Sequence, residues 1–349
     1  MNSPLSDSMT ARTTYPFTAI VGQESMKEAL ILNTINPLIG GVLIRGEKGT
    51  AKSTAVRALA SLLPERHVVG GCACGCPWND ASSRCPECRE REDPQESIVP
   101  MRVVELPLSS TEDRVAGTLD IEHAISTGKK KFEPGVLAKA NGNILYVDEI
   151  NLLDDHIVDL LLDAAAMGVN FIEREGISYS HPSKFILVGT MNPEEGDLRP
   201  QLLDRFGLMV DVEAERDEER RMQIIERRME FERDPEDFSS RYEEQQAELR
   251  DRIQEARELV GDIVPGKDVV RAAVRIPLHL DVDGHRADLT LIKSAVAYAA
   301  MQGRTEVLPT DVAHVAPLVM AHRMRRNPFQ DSRLDAKELE SWIQSKMNQ

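Results

Sequence analysis

The chain has 349 residues, 41% of them hydrophobic and 29% charged, an ordinary globular balance with length enough for one large domain and a smaller one. No apolar run approaches the roughly 18 residues of a membrane span, which excludes an integral helical membrane protein. The formal charge is -16, so a nucleic acid would have to be held by a local basic patch against an unfavourable overall field; no nucleic-acid partner is expected.

Residues 1–14 are polar, carry the single arginine Arg12 and lack an apolar stretch for secretion, so they read as a flexible N-terminal segment and the chain as cytoplasmic. From 15 to 211 short apolar runs alternate with helical stretches and glycine turns, the pattern of an α/β domain built on a parallel sheet. Runs at 42–44, 103–106, 144–147 and 185–188 predict buried strands, with functional residues at their C-terminal ends. Residues 171–179, centred on Arg174-Glu175-Gly176, predict an inserted β-hairpin.

After 211 the pattern is helical to 349. Met222, Ile225 and Met229 share one helix face, Leu249, Ile253, Ala256 and Val260 another, and Pro235 separates the two. Stretches at 289–303 and 309–323 complete a small bundle, and Leu308-Pro309-Thr310-Asp311 reads as a cap and helix start. The dense charges read as solvated outer faces.

The run at 42–44 enters Gly46-Glu47-Lys48-Gly49-Thr50-Ala51-Lys52-Ser53-Thr54, a Walker A pattern with alanine in place of the glycine before the lysine. Such a loop turns successive N–H groups onto phosphates, with Lys52 as a point charge and the Ser53 hydroxyl for Mg²⁺. Ala51 fits this reading if it keeps a helical backbone. The run at 144–147 ends in Asp148-Glu149, where Asp148 can hold the Mg²⁺ shell and Glu149 can polarise the attacking water. Asn192, in Gly189-Thr190-Met191-Asn192-Pro193, would stand beside that pair, although Asn-Pro is by itself a turn signal. Arg205 and Arg286 could neutralise charge growing on a γ-phosphate, in a neighbouring subunit if need be; each on its own reads sooner as a surface ion pair.

All five cysteines, Cys72, Cys74, Cys76, Cys85 and Cys88, fall in one segment, with eight residues between the two groups. Four of the five could surround one tetrahedral Zn²⁺. An iron–sulfur cluster is the second reading, and a loop of free or redox-active thiols the third. The segment at about 70–95 is then an insertion in the α/β domain. His123, His156 and His181 show no metal-ligand spacing and read as capping, core or surface residues.

Taken together, Ile20-Val21-Gly22-Gln23, the 46–54 loop, Asp148-Glu149, Asn192 through Pro200, Leu203-Asp204-Arg205-Phe206 and Arg286 resemble the AAA+ ATPase subunits of magnesium chelatase and related cobaltochelatases. The resemblance runs from Phe17 to about Pro328, and its most specific stretches are 112–120, Phe132-Glu133-Pro134-Gly135 and 192–206. It implies an AAA+ P-loop domain followed by an all-helical lid, binding ATP and Mg²⁺ in a pocket flanked by Val21 and Gly22. It further implies a sensor at Asn192, a trans-acting arginine finger at Arg205 and a second sensor at Arg286. The implied function is the motor subunit of a magnesium-chelatase-type complex, which hydrolyses ATP while a partner inserts the metal into a tetrapyrrole. A cobaltochelatase of cobalamin biosynthesis and a AAA+ remodelling ATPase acting on a protein are the alternatives. The implied partners are further copies in a ring, expected as a hexamer, an AAA+/integrin-like subunit and a large tetrapyrrole-binding subunit. The chain has no Asp-x-Ser-x-Ser motif and stops at Gln349, as expected of the small subunit of such a complex. Its five-cysteine segment departs from the photosynthetic magnesium-chelatase subunits.

Overall fold

Val42, Leu43 and Ile44 have no solvent exposure. An apolar run buried on both faces becomes an inner strand of a parallel sheet, because only crossover connections cover both sides. A computed structural model of the chain describes residues 13–47, 49–119, 132–174, 177–282, 284–324, 339, 341–343 and 345. Its strands are β1 (Val42–Gly46), β2 (Arg66–Val69), β3 (Glu96–Val99), β4 (Val103–Glu105), β5 (Gly117–Leu119), β6 (Phe132–Pro134), β7 (Ile144–Val147), β8 (Val169–Arg174), β9 (Ile177–Pro182), β10 (Ile186–Met191) and β11 (Leu208–Val212). The main sheet has the order β11-β1-β10-β7-β4, and every pairing in it is parallel.

The four predicted strands are all in this sheet. β11 was not anticipated, because Asp211 interrupts its apolar run; at the sheet edge that carboxylate meets Arg45 through Nε and Nη2, the latter at 2.7 Å. β10 runs past Val188 to Met191 because Gly189, Thr190 and Met191 are buried in the middle of the sheet. The predicted hairpin is β8–β9, paired antiparallel; Glu175 and Gly176 at its turn lie outside the described residues. β2–β3 and β5–β6 are two further antiparallel pairs.

Helices Glu24–Ile35 and Lys52–Leu62 cover one face of the sheet and Val136–Ala140 and Asp155–Met167 the other. Asp155–Met167 ends where Gly168 takes a left-handed conformation, φ 67°, which closes the last turn without a Cβ penalty.

From Glu218 onward the described elements are helical: Glu218–Arg233, Pro235–Ser240, Glu243–Leu259, Lys267–His279, Arg286–Met301 and Pro309–Met320. The predicted start at Pro309 is present, with the Leu308 N–H donating to Asp311 at 2.8 Å and Arg304 forking onto the same carboxylate at 2.7 and 3.0 Å. These helices do not close a separate core. Ile253, Ala295 and Val312 share one continuous cluster with Ile44 and Leu59 of the α/β part. Met222, Ile225 and Met229 share a face as their spacing predicts, and that face is solvent-exposed, at 53%, 54% and 65%. Among the described residues no helix is long and apolar enough to cross a membrane.

The end of Pro309–Met320 is tied to the turn before β11. Arg323, its side chain 1% exposed, donates to the carbonyls of Asp204, Phe206 and Gly207 at 3.0, 2.6 and 3.1 Å. His322 donates from Nε2 to the Phe206 carbonyl at 3.0 Å. Burial, reinforced by the neighbouring Arg323, pushes the His322 pKa down to about 3. The folded protein therefore holds this ring neutral, while the unfolded chain takes up a proton below about 6.5. Its stabilising contribution is complete above about 6.5 and is lost as the pH falls toward 3. His322→Gln, which can keep a donor without titrating, should flatten the loss of stability between pH 7 and 5, measured by urea unfolding; equal slopes in the two proteins would remove His322 from the acid response.

Candidate nucleotide site and its distant arginines

β1 delivers its chain end into the phosphate-loop sequence, and helix Lys52–Leu62 receives it. Gly46 is required by packing: a Cβ there would lie 2.2 Å from the Val212 carbonyl of β11. Gly49 has φ 84°. Ala51 differs from the sequence expectation: at φ 59°, ψ 19° it is left-handed, not right-handed helical, a conformation costing an alanine about 1–2 kcal/mol. The turn so formed starts an 11-residue helix with no side-chain cap, leaving its first N–H groups and positive dipole end for an anion. Lys52 Nζ donates to the Gly46 carbonyl and, at 3.0 Å, to that of Glu47, and Thr50 Oγ1 closes onto the Glu47 carbonyl at 2.8 Å. Ser53 and Thr54 are half-buried in the first helical turn, and Lys48 lies outside the described residues. This donor set fits a nucleotide's phosphates. Val21 and Gly22 precede Gln23, whose Nε2 donates to the Glu213 carbonyl at 2.9 Å; this fixes them beside the C-terminal end of β11, next to the loop.

β7 and β10 pair Val147 with Gly189, so Asp148 and Thr190 fall side by side one residue later. Asp148 Oδ1 accepts from Thr190 Oγ1 at 2.5 Å and from Tyr146 OH at 2.9 Å. The same threonine oxygen accepts the Glu149 N–H at 3.1 Å. Glu149 is left-handed, φ 52° and ψ 51°, so one hydroxyl fixes the carboxylate of Asp148 and the strained backbone of Glu149 together. Burial pushes the Tyr146 hydroxyl pKa well above its ordinary value, keeping it a donor. The sequence reading gave Thr190 and Tyr146 no role; their signal was a polar side chain at the end of a wholly buried strand. Asn192 is buried directly after β10, and its Oδ1 caps the Glu194 N–H at 3.2 Å, so the turn reading holds. Asn192 nevertheless stands at the strand end next to the acidic pair.

The two arginines are elsewhere. Arg205 precedes β11, its carbonyl approaching Gly40 just before β1, so its backbone is at the N-terminal end of the sheet. Its neighbour Phe206 belongs to the core on the face opposite helix Lys52–Leu62. The five residues of β1 put about 16 Å between the two ends. The Arg205 guanidinium is clamped by Asp159 and Asp163 of helix Asp155–Met167. Arg286, at the start of its helix, meets Asp204 at 2.7 Å. Arg205, Arg286, Arg199, Asp155 and Asp159 line one cleft of about 390 Å³.

The cysteines converge. The sulfurs of Cys72, Cys76, Cys85 and Cys88 all lie within 4.8 Å of one another; Cys74, although buried, is outside that set. All five are unpaired. His181 is a core histidine, bonded to the Pro182 carbonyl at 2.9 Å and to Asn170 at 3.0 Å. His156 is exposed and His123 lies outside the described residues.

A parallel sheet with a phosphate loop after β1, an acidic pair after the strand two places away and a helical region packed on one face defines a P-loop ATPase of the AAA+ class. Two family descriptions match it: AAA domain (dynein-related subfamily) over residues 98–206 and AAA lid domain over 270–342. The chain is 57% identical to the magnesium-chelatase subunit ChlI homolog of Methanocaldococcus jannaschii, over 94% of this chain and 90% of that one. It is 51% identical to magnesium-chelatase subunit ChlI of Synechocystis, over 93% and 92%. A BchI–BchD magnesium chelatase complex, built on a cryo-EM reconstruction, contains a chain 48% identical to it, with TM-score 0.56 over 93% of this chain and 100% of that one. The chain belongs to the ChlI/BchI family of magnesium-chelatase subunits.

Thr190→Val removes the donor to Asp148 and leaves the Glu149 N–H without its acceptor. It should destabilise the protein by about 1–3 kcal/mol and lower ATP turnover about tenfold or more, whereas Thr190→Ser should restore both. Turnover unchanged in Thr190→Val would separate this hydroxyl from the acidic pair's work.

Proposed function

We propose that this chain is the ATP-hydrolysing motor of a magnesium-chelatase-type complex, and that it works in a ring where Arg205 and Arg286 of one copy complete the nucleotide site of the next. The observation that carries the reading is the separation of both arginines from the chain's own phosphate loop, by sheet end for both and by sheet face for Arg205. A guanidinium so placed can meet a γ-phosphate only across an interface, and a head-to-tail interface that closes makes a ring.

Within one copy, the uncapped helix start and Lys52 hold the phosphates, and Ser53 with Asp148 holds the Mg²⁺ that accompanies ATP. The bound Mg²⁺ would neutralise charge on the β- and γ-phosphates. Glu149 orients and polarises the water, and the Asn192 amide donates toward it or the γ-phosphate. In the free chain Asp159, Asp163 and Asp204 occupy the two arginines, so assembly exchanges carboxylates for a phosphate. The exposed Met222, Ile225 and Met229 face supports a further contact surface. The relatives' names support magnesium over cobalt as the metal served, and the BchI–BchD pair supports an ATPase-like partner; metal insertion itself belongs to another subunit.

Mixing variants tests the interface directly. Arg205→Ala has an intact loop and no finger; Glu149→Gln should bind ATP and scarcely hydrolyse it. Each alone should lose about 10³-fold in turnover. Mixed at equal concentration they should recover a substantial fraction of wild-type turnover, because some interfaces then pair an intact loop with an intact finger. A mixture as inactive as its components would end the trans assignment. Arg286→Ala in the same mixture reports on the second arginine.

A further inference from the structure

The nucleotide chemistry makes no use of the cysteine segment, and the segment buries little hydrocarbon of its own. From the end of β2 to the start of β3 its buried apolar side chains are few: Val68 and Val69 of β2 itself, then Cys74, Cys76, Cys85 and Cys88. The local cluster adds little hydrocarbon beyond Val69 and Ala138, flanked by the partly buried Trp78 and Phe132. Burial at about 25 cal/mol per Å² over so few side chains falls short of the roughly 1–2 kcal/mol that ordering each residue costs. Small units in this position are ordered by a metal or by cross-links.

The backbone brings the sulfurs together from two turns. Gly71 and Gly75, at φ 66° and 52°, fold the first turn back on itself, with the Cys72 N–H donating to the Val69 carbonyl and the Gly75 N–H to the Cys72 carbonyl, both at 3.1 Å. The second turn begins at Cys85-Pro86, with the Cys88 N–H on the Cys85 carbonyl at 3.1 Å. The Cys85 N–H donates to the Cys76 sulfur, also at 3.1 Å, which ties the two turns together. Cys72 and Cys85 sulfurs are 3.9 Å apart. A tetrahedral ion with metal–sulfur bonds of about 2.3 Å needs sulfurs about 3.8 Å apart.

We propose that Cys72, Cys76, Cys85 and Cys88 bind one structural Zn²⁺, and that Cys74 is not a ligand. The four sulfurs are too close together for the wider spread that the cysteines of an iron–sulfur cluster adopt. They converge as a group of four, not as two pairs, which separates the site from a pair of disulfides. Binding displaces the thiol protons to solvent, and four sulfurs leave no position open for a water, so the ion staples and does not catalyse. The staple is fixed to the body. Tyr179 OH donates to Glu87 in the second turn at 2.6 Å, Asn141 Nδ2 to the Cys74 carbonyl at 2.8 Å, and Lys184 Nζ to Ser83 Oγ at 3.1 Å. The metal thus makes a rigid platform on the side of the sheet carrying β8 and β9.

The test is metal analysis of the full chain purified without chelator. One zinc per chain is expected, in a colourless protein that releases it on titration with an organomercurial. Cys76→Ser and Cys88→Ser should each retain less than about a tenth of an equivalent, and Cys74→Ser should keep it all. Where a ligand variant fails to fold, Co²⁺ exchanged into the wild-type chain replaces it: intense thiolate-to-cobalt absorption with a tetrahedral visible spectrum is expected. Iron in place of zinc, less than a tenth of an equivalent after dialysis against Zn²⁺, no such cobalt spectrum, or loss of zinc in Cys74→Ser would each overturn the proposal.

Discussion

Everything at the nucleotide site depends on the direction of β1, β10 and β7. Because these strands are parallel, the phosphate loop, Asn192 and the acidic pair must all emerge at one end of the sheet. The same constraint places the arginines. β11 also runs parallel to β1, so between Asn192 and Leu208 the chain must travel back to the opposite end, and Arg205 is set down on that return. No local preference of Leu203-Asp204-Arg205-Phe206 decides this; the sheet does. Arg323 and His322 then hold the return turn by its carbonyls, which carries the helical region, and Arg286 with it, to the same end.

In the phosphate loop and the acidic pair, Ala51 and Glu149 occupy left-handed backbone although neither is glycine. Each is held by what surrounds it: Ala51 between a strand that cannot shift, since Gly46 already touches β11, and a helix packed on the core; Glu149 by its N–H bond to Thr190. Strain of this kind persists only where the framework over-determines it. Here it fixes the backbone of the loop and of the glutamate before any ligand arrives, the kind of preorganisation that the proposed phosphoryl chemistry would use.

The sheet was largely legible in the sequence because four of its strands are continuous apolar runs, buried on both faces. β11 escaped because an edge strand tolerates Asp211, whose partner Arg45 is distant in sequence. Lys52, Ser53, Asp148 and Glu149 could be singled out from motifs because phosphate and Mg²⁺ chemistry restricts residue type and spacing, and their strands end at the same side of the sheet; their roles belong to the proposal above. Thr190 could not, since its importance lies in a cross-strand register that only the fold supplies. The cysteines were legible as a cluster but not as a set: three thiols alternate at 72, 74 and 76, and which of them face Cys85 and Cys88 depends on the left-handed turns at Gly71 and Gly75. A single hydrophobic core joining the helical region to the sheet was likewise invisible, because amphipathic spacing gives the buried face of a helix but not what it packs against.

That shared core bears on how a ring of such chains could transmit work. Ile253, Ala295 and Val312 pack in the same cluster as Ile44 and Leu59, and Leu59 lies on the helix that begins at Lys52. Close-packed interiors pass displacement on rather than absorb it. A shift of the Lys52–Leu62 helix, were phosphate contacts to cause one, would therefore be felt by the helical region, whose far end carries Arg286 beside Arg205. In the proposed ring, one chain would then couple the state of its own loop to the position of Arg205 and Arg286, through apolar packing and not through a chain of charges. Asp159, Asp163 and Asp204 hold those arginines in the free chain, so on the proposed reading a movement that presents the arginines would also have to break these ion pairs.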